Sequence, residues 1–277
     1  MSAFNDIAAG YAATGGDFFT QIAAHLVDIA GIGPGDQVLD VGCGKGAVTI
    51  PAAIAAGPDG HVCGIDLSPA MLAHAREATS ELGNVTLTRG DAHDPPSEGA
   101  FDAVLASNVV VFLDDPARAL RTWNRLLVPG GRVVFSWGIA GDLRWKPVLA
   151  AVDARVPAPH PGFDAWLRRY PFGAVEQVEA MLTGCGYARI RTVARDITTR
   201  FASPQEWWQS SLSSAPFAIS WRHIPDGKLT EARQDAFALL EELRDDDGGI
   251  TRTLRFGFTT ARTAPRSPAP AGPGGAA

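Results

Sequence analysis

Cysteine is scarce in this sequence. Cys43, Cys63 and Cys185 are odd in number and far apart, which suits neither a disulfide framework nor a zinc knuckle. They read as buried reduced thiols, in effect small hydrophobes, and no metal is predicted from them. Positive charge is also short. The net charge of -6 and the pI near 5.5 argue against nucleic acid as the main partner, because neutralising a phosphate backbone takes clustered Lys and Arg. No run of about 18 apolar residues exists to span a bilayer. The opening stretch "MSAFNDIAAGYAATGG" lacks the basic region and the apolar run of a secretory signal. These absences lead to a cytoplasmic protein whose partner is a small molecule, with no nucleic acid and no membrane involved; a homodimer stays open. At 277 residues the chain is long enough for one large core, or one core with a modest appendage.

What the sequence does have is a regular rhythm. Phe18, Ile22, Leu26 and Ala30 recur every four residues and predict an amphipathic helix over 17–31. From there "QVLDV", "HVCGIDL", "VTLTRGDA", "FDAVLAS" and "RVVFSW" read as strands. Helical stretches separate most of them. One opens on Ser68 as N-cap with Pro69 at the first helical position. This alternation over residues 36–137 predicts parallel βαβ units in a doubly wound, Rossmann-like sheet, with the ligand crevice at the carboxyl ends of the strands. A later helix precedes a sixth strand, "ARIRTVARDITTRF", and "ITRTLRFGFTTAR" is a seventh. The fold class predicted is α/β: seven strands, mostly parallel, with helices on both faces. Two adjacent late strands with a long connection predict an antiparallel pair at one edge.

The expected organisation follows from this reading. Residues 1–32 form an N-terminal lid and helix, 33–138 the cofactor-binding core, and 139–262 the rest of the sheet with two cap insertions, 139–174 and 202–248. The tail 263–277, rich in Pro, Gly and Ala, cannot bury apolar surface and is expected to be disordered.

The chemistry is concentrated in "VLDVGCGKG", residues 38–46, where Gly42, Gly44 and Gly46 alternate after a strand. "GCGKGA" satisfies the dinucleotide pattern G-x-G-x-x-G/A, so a nicotinamide-dependent oxidoreductase has to be weighed. A dinucleotide brings a pyrophosphate to the helix N-terminus. Asp40 would place a carboxylate close to that anion and cost affinity. With a cationic ligand the sign reverses, and the same carboxylate stabilises an ammonium or sulfonium. A P-loop is excluded, because positions 39 and 46 hold Leu39 and Gly46 where it needs Gly and then Ser or Thr.

With "VLDVGCGKG", "GIDLS", "GDAHDPP" and "LLVPGGRVV" in this order and spacing, the chain resembles the class I S-adenosylmethionine-dependent methyltransferases, in particular those acting on quinones and small metabolites. The resemblance runs from about Phe4 to Arg262 and is most specific over 36–137. It implies S-adenosyl-L-methionine as cofactor and gives residues their roles. Gly42, Gly44 and Gly46 let the backbone approach the ligand, and Asp40 takes the methionyl ammonium, directly or through water. Asp66 accepts from the ribose hydroxyls, with an N-cap role as the competing reading. Leu67 and Ala92 flank the adenine and Asp91 accepts from its amino group. Ser107 and Asn108 lie at the methionyl end or the acceptor, although "SNVVVFLDD" departs from the aromatic or histidine-rich version of many relatives. Tyr11 and Phe4 belong to a segment that closes over the cofactor in similar enzymes.

Methyl transfer from a sulfonium is an in-line displacement in which positioning supplies much of the catalysis. A base is needed only for a weakly acidic hydroxyl or a protonated amine. The candidates are His160 and His223, one in each insertion, against a surface or structural role for each. His93, next to the adenine-side loop, is expected to face solvent. The run Asp245, Asp246, Asp247 reads as a solvated loop. Trp145, Trp166, Trp207, Trp208 and Trp221, with Phe172 and Phe217, lie in the insertions. They either wall a pocket for a sizeable apolar or aromatic acceptor or glue the cap to the sheet. Richness in Ala, Gly, Pro and Arg associates the chain with specialised metabolism. A member of the same fold that uses the cofactor without methylating, for instance in a cyclisation, would carry the same cofactor residues.

Overall fold

The structure, a computed structural model, describes residues 16–96, 99–157, 174–212, 217 and 220–263. In chain order these form α1 (Gly16–Ala30), β1 (Gln37–Val41), α2 (Thr49–Ala56), β2 (His61–Asp66), α3 (Pro69–Ala78), β3 (Val85–Arg89), β4 (Phe101–Ser107), α4 (Pro116–Leu126) and β5 (Leu127–Ala140). They continue with α5 (Lys146–Asp153), α6 (Val175–Gly184), β6 (Tyr187–Phe201), α7 (Pro204–Leu212), α8 (Asp226–Glu241) and β7 (Ile250–Thr263). Among the described residues no helix is long and apolar enough to cross a membrane.

Local chemistry sets the helix starts. The Ser68 hydroxyl accepts from the Met71 amide at 3.2 Å, and Pro69 supplies the first helical φ of α3. Asp115 does the same for α4, accepting from Arg118 N at 2.8 Å ahead of Pro116. In α1 the apolar spacing buries Ile22, Leu26 and Ala30 against the sheet.

The strands assemble in the order β3-β2-β1-β4-β5-β7-β6. Pairings from β3 through β5 are parallel. The antiparallel pairing of the two late strands is present at the far end of the sheet. There β7 is the reversed strand, antiparallel to both β5 and β6, and β6 forms the outer edge. One apolar layer packs α1 and α2 on one face of the sheet; a second packs Trp123 of α4 and Val178 and Leu182 of α6 on the other. With both faces covered, the interior strand β4 reads as a near-continuous apolar run.

Strand order reverses between β1 and β4, the switch point of a doubly wound sheet, where ligands bind beyond the carboxyl ends. Arg132 locks the opposite edge. Its guanidinium donates to the carbonyls of Ala30, Gly31 and Asp102 and pairs with Asp36 at 2.6 Å.

Two sequence expectations change. β3 ends at Arg89 instead of continuing through Ala92, because the Asp91 carboxylate accepts from the His93 amide at 2.8 Å and turns the chain. β5 is longer than "RVVFSW": it begins at Leu127, which pairs with Phe101 ahead of an irregularity, and runs on to Ala140. The predicted sixth and seventh strands are present as β6 and β7, which stay paired up to Phe201 and Ile250, whereas β5 is left at Ala140 opposite Arg255. Residues 197–201 and 250–254 therefore project as a two-stranded ribbon beyond the carboxyl edge of β5.

On that ribbon the described residues of the two insertions pack together as a cap. Trp145, Trp207, Trp208 and Trp221 are buried with Phe201, Ile250 and Leu240 in a core of their own. Trp207 lies 5.8 Å from both Trp145 and Trp221 between ring centroids, and Trp208 stacks on Trp221 at 5.4 Å. Among the described residues these rings pack largely on one another. Trp166 and Phe172 lie outside the described residues, as does the tail from 264 onward.

Candidate functional site

The turn after β1 takes backbone shapes that suit glycine. Gly42, Gly44 and Gly46 have φ of 66°, 54° and 93°. At Gly42 space is short as well: a Cβ there would lie 2.4 Å from Val109 Cγ2, so the glycine turn and the loop after β4 touch at the switch point. At Gly44 the reverse holds, and a Cβ would meet nothing within 4 Å. That open side is where a ligand can approach the backbone.

Two carboxylates flank this turn. Asp40, at the end of β1, is 1 % exposed, and the Thr49 hydroxyl at the start of α2 donates to it at 2.5 Å. Burial, helped by the negative charge of Asp66 and opposed by Thr49, pushes the Asp40 pKa up to about 7. Asp66, at the end of β2, accepts from Gly44 N at 3.0 Å with one oxygen and from Ser68 N at 2.8 Å with the other. The N-cap of α3 is Ser68, so Asp66 instead ties the glycine turn to the β2 loop. Burial raises the Asp66 pKa against the pull of the backbone amides. Each oxygen has spent one of its lone pairs, and a carboxylate offers about four sites. Two acids raised together by burial mark a place that favours a cationic or hydroxyl-rich ligand.

The third loop is braced from below. Asp91 accepts from both the backbone and Nδ1 of His93, the latter at 2.9 Å, and His93 Nε2 accepts from the Asp115 amide at 3.4 Å. His93 does not face solvent as expected: its side chain is 17 % exposed, and it bridges the loop to the start of α4. Ala92 is buried, and its carbonyl accepts from Trp123 Nε1 at 2.8 Å. Leu67 is 40 % exposed at the end of β2, an apolar side chain left open where a flat ring could lie.

After β4, Asn108 adopts φ 56°, a left-handed shape costly for a residue with a Cβ. Its amide donates to Ser136 Oγ at 3.0 Å, and Ser107 Oγ lies 3.4 Å from the same oxygen.

The fold thus gathers Asp40, Gly42, Gly44, Gly46, Asp66, Leu67, Asp91, Ala92, Ser107 and Asn108 along the carboxyl edge. Other candidates are not brought there. His223 is exposed, beside Arg222. Tyr11, Phe4 and His160 lie outside the described residues. Asp245 and Asp247 pair with Arg200. Thr49 and Val109 were missed by sequence reasoning. A hydroxyl at the first residue of a helix after a glycine turn was the available signal for Thr49; Val109 offered none.

Comparison with known proteins then decides the family. A family profile described as methyltransferase domain matches residues 39–135. The chain is 36% identical over 294 residues to a nocamycin O-methyltransferase of Saccharothrix syringae, covering 96% of this chain and 99% of that protein. The chain belongs to the class I S-adenosylmethionine-dependent methyltransferases. It is also 36% identical over 207 residues to the aklanonic acid methyltransferase DauC of a Streptomyces strain, covering 68% of this chain and 91% of that one. Among solved structures, the YcgJ protein of Bacillus subtilis matches with a TM-score of 0.57 at 15% identity, over 88% of this chain and 98% of its own, a likeness of fold. The family's cofactor is S-adenosyl-L-methionine, which removes the nicotinamide reading.

Proposed function

We propose that this methyltransferase moves the methyl group of S-adenosyl-L-methionine to an oxygen of a small organic acceptor in specialised metabolism. The observation that carries the reading is the pair of buried carboxylates, Asp40 and Asp66, on either side of a glycine turn that is open at Gly44. Oxygen as the methylated atom is supported by the name of the relative matched along nearly its whole length.

When bound, S-adenosylmethionine supplies a methyl group on a positively charged sulfur with a good leaving group. The chain's own part is to hold and orient. Asp66 receives the ribose hydroxyls on its remaining lone pairs, and Asp40 balances the cationic methionyl end. Leu67 and Ala92 border the adenine and Asp91 accepts from its amino group. Asn108 and Ser107, fixed by Ser136, face the methionyl end and the acceptor. Orientation of this kind can supply roughly 7–11 kcal/mol of the barrier. An acceptor oxygen that arrives ionised needs no base, consistent with a catalytic role for neither Asp91-bound His93 nor exposed His223.

The test is turnover with trideuteromethyl-labelled cofactor and a panel of hydroxyl- and carboxyl-bearing polycyclic acceptors, read by mass spectrometry. The expected product carries one labelled methyl on oxygen, with one S-adenosylhomocysteine formed per product. A product of unchanged mass with no cofactor consumed would replace methylation by a rearrangement such as cyclisation.

A further inference from the structure

The ribbon beyond the carboxyl edge carries a cation with no ion-pair partner among the described residues. Arg252 lies on the projecting part of β7, paired in register with Thr199 of β6, on the same side of the sheet as the glycine turn and Asn108. Arg252 is partly buried, and its guanidinium carbon lies over two aromatic rings, 5.4 Å from the centroid of Trp145 and 5.7 Å from that of Phe217. Nε is enclosed and has no hydrogen-bond partner.

Among the described residues no carboxylate lies within ion-pair distance of Arg252. Asp142, whose charge reaches it, is already committed. That carboxylate accepts from Arg144 Nη2 at 2.8 Å and Arg144 Nε at 3.2 Å, and from the amides of Arg144 and Thr253. Burial lowers the Arg252 pKa only to about 10, so the group stays charged at neutral pH. An enclosed N–H left without a hydrogen bond is costly unless something completes it. Aromatic faces offset part of that cost, but they give the Nε–H nothing to donate to.

A guanidinium donates in its own plane, and its Nε edge with one Nη forms the two-pronged fork that fits a carboxylate. We propose that Arg252 recognises an oxyanion of the methyl acceptor, a carboxylate or an ionised enol, through this unfilled Nε edge. The proposal rests on the methyltransferase reading and gives its acceptor a charge. It also suits a site in which no base is assigned among the described residues, since Arg252 selects acceptors already ionised.

The test is calorimetry on the full-length protein saturated with S-adenosylhomocysteine, titrated with 2-naphthoate and with neutral 2-naphthamide. The wild type is expected to bind the carboxylate at least tenfold more tightly than the amide. Arg252→Met, which keeps the side-chain bulk over Trp145, is expected to abolish that preference while leaving S-adenosylhomocysteine affinity and naphthamide affinity unchanged. Arg252→Lys, which keeps the charge but loses the fork, should fall between. Equal affinities for the two probes in the wild type, or a preference that survives in Arg252→Met, would overturn the proposal. Should Arg252→Met fail to fold, the wild-type ratio and a reduced preference in Arg252→Lys decide the matter. If the wild type does not bind S-adenosylhomocysteine at all, the methyltransferase reading itself fails, a result distinct from equal probe affinities.

Discussion

Asp66→Ala is expected to weaken S-adenosylhomocysteine binding by about a hundredfold. The reason lies in how the carboxylate is spent. One oxygen holds Gly44 N and the other holds Ser68 N, at 3.0 and 2.8 Å, so the group is rigidly presented with its outer lone pairs available. Hydrogen bonds to a charged acceptor contribute about 1.5–3 kcal/mol each. Losing two ribose hydroxyl bonds, partly replaced by water, comes to about 3 kcal/mol, or roughly a hundredfold. The substitution also frees the Gly44 amide, so the turn loses its tie to β2. Asp66→Asn, which keeps acceptor oxygen on one side, should lose less, about tenfold. Calorimetric titration of the three proteins checks this. An unchanged affinity in Asp66→Ala would remove this residue from the ribose.

Asp40→Asn separates two roles by their opposite pH dependence. In the folded protein the carboxyl is held neutral up to about pH 7 by burial, against an ordinary value of 3.8. Its folded pKa is raised, so its contribution to stability is complete below about 3.8 and is lost as pH climbs to about 7. A gap of that size corresponds to roughly 4 kcal/mol. Asparagine keeps an acceptor for the Thr49 hydroxyl and never ionises. Relative to the wild type, the variant is therefore expected to gain roughly 3 kcal/mol in urea unfolding between pH 5 and 8. Cofactor binding should move the other way. A cationic methionyl end favours the ionised carboxylate, so wild-type affinity should rise between pH 6 and 7.5 with release of a proton, and the variant should show neither effect. At pH 7.5 the variant should bind S-adenosylmethionine at least tenfold more weakly. Parallel stability curves for the two proteins would mean that Asp40 is ionised throughout, and a proton-free binding reaction would take it out of the ammonium's reach.

Much of the fold was legible because local signals agreed with one another. The caps Ser68 and Asp115, each followed by proline, start α3 and α4 as the sequence suggests. Glycine spacing after an apolar strand found the turn, and acids at the ends of β1 and β2 found the two carboxylates. What was hidden depended on contacts distant in sequence. The insertion of β7 between β5 and β6 is a matter of strand order, and strand order leaves no periodic trace. The tryptophans were recognised as an apolar cluster, but their contact with one another could not be separated from contact with a ligand until burial was known. His93 was misread because its partner, the Asp115 amide, comes from the far side of β4. Arg252 sits in an ordinary alternating strand, and only the enclosure of its Nε sets it apart.

The central claim is that this glycine turn, with its paired acids, is built for a sulfonium nucleoside. The most direct measurement is calorimetric titration of the wild-type protein with S-adenosylhomocysteine, with NAD and NADP run in parallel. The account predicts saturable one-to-one binding of S-adenosylhomocysteine and no heat from either nicotinamide. Binding of a nicotinamide with no response to S-adenosylhomocysteine would contradict it.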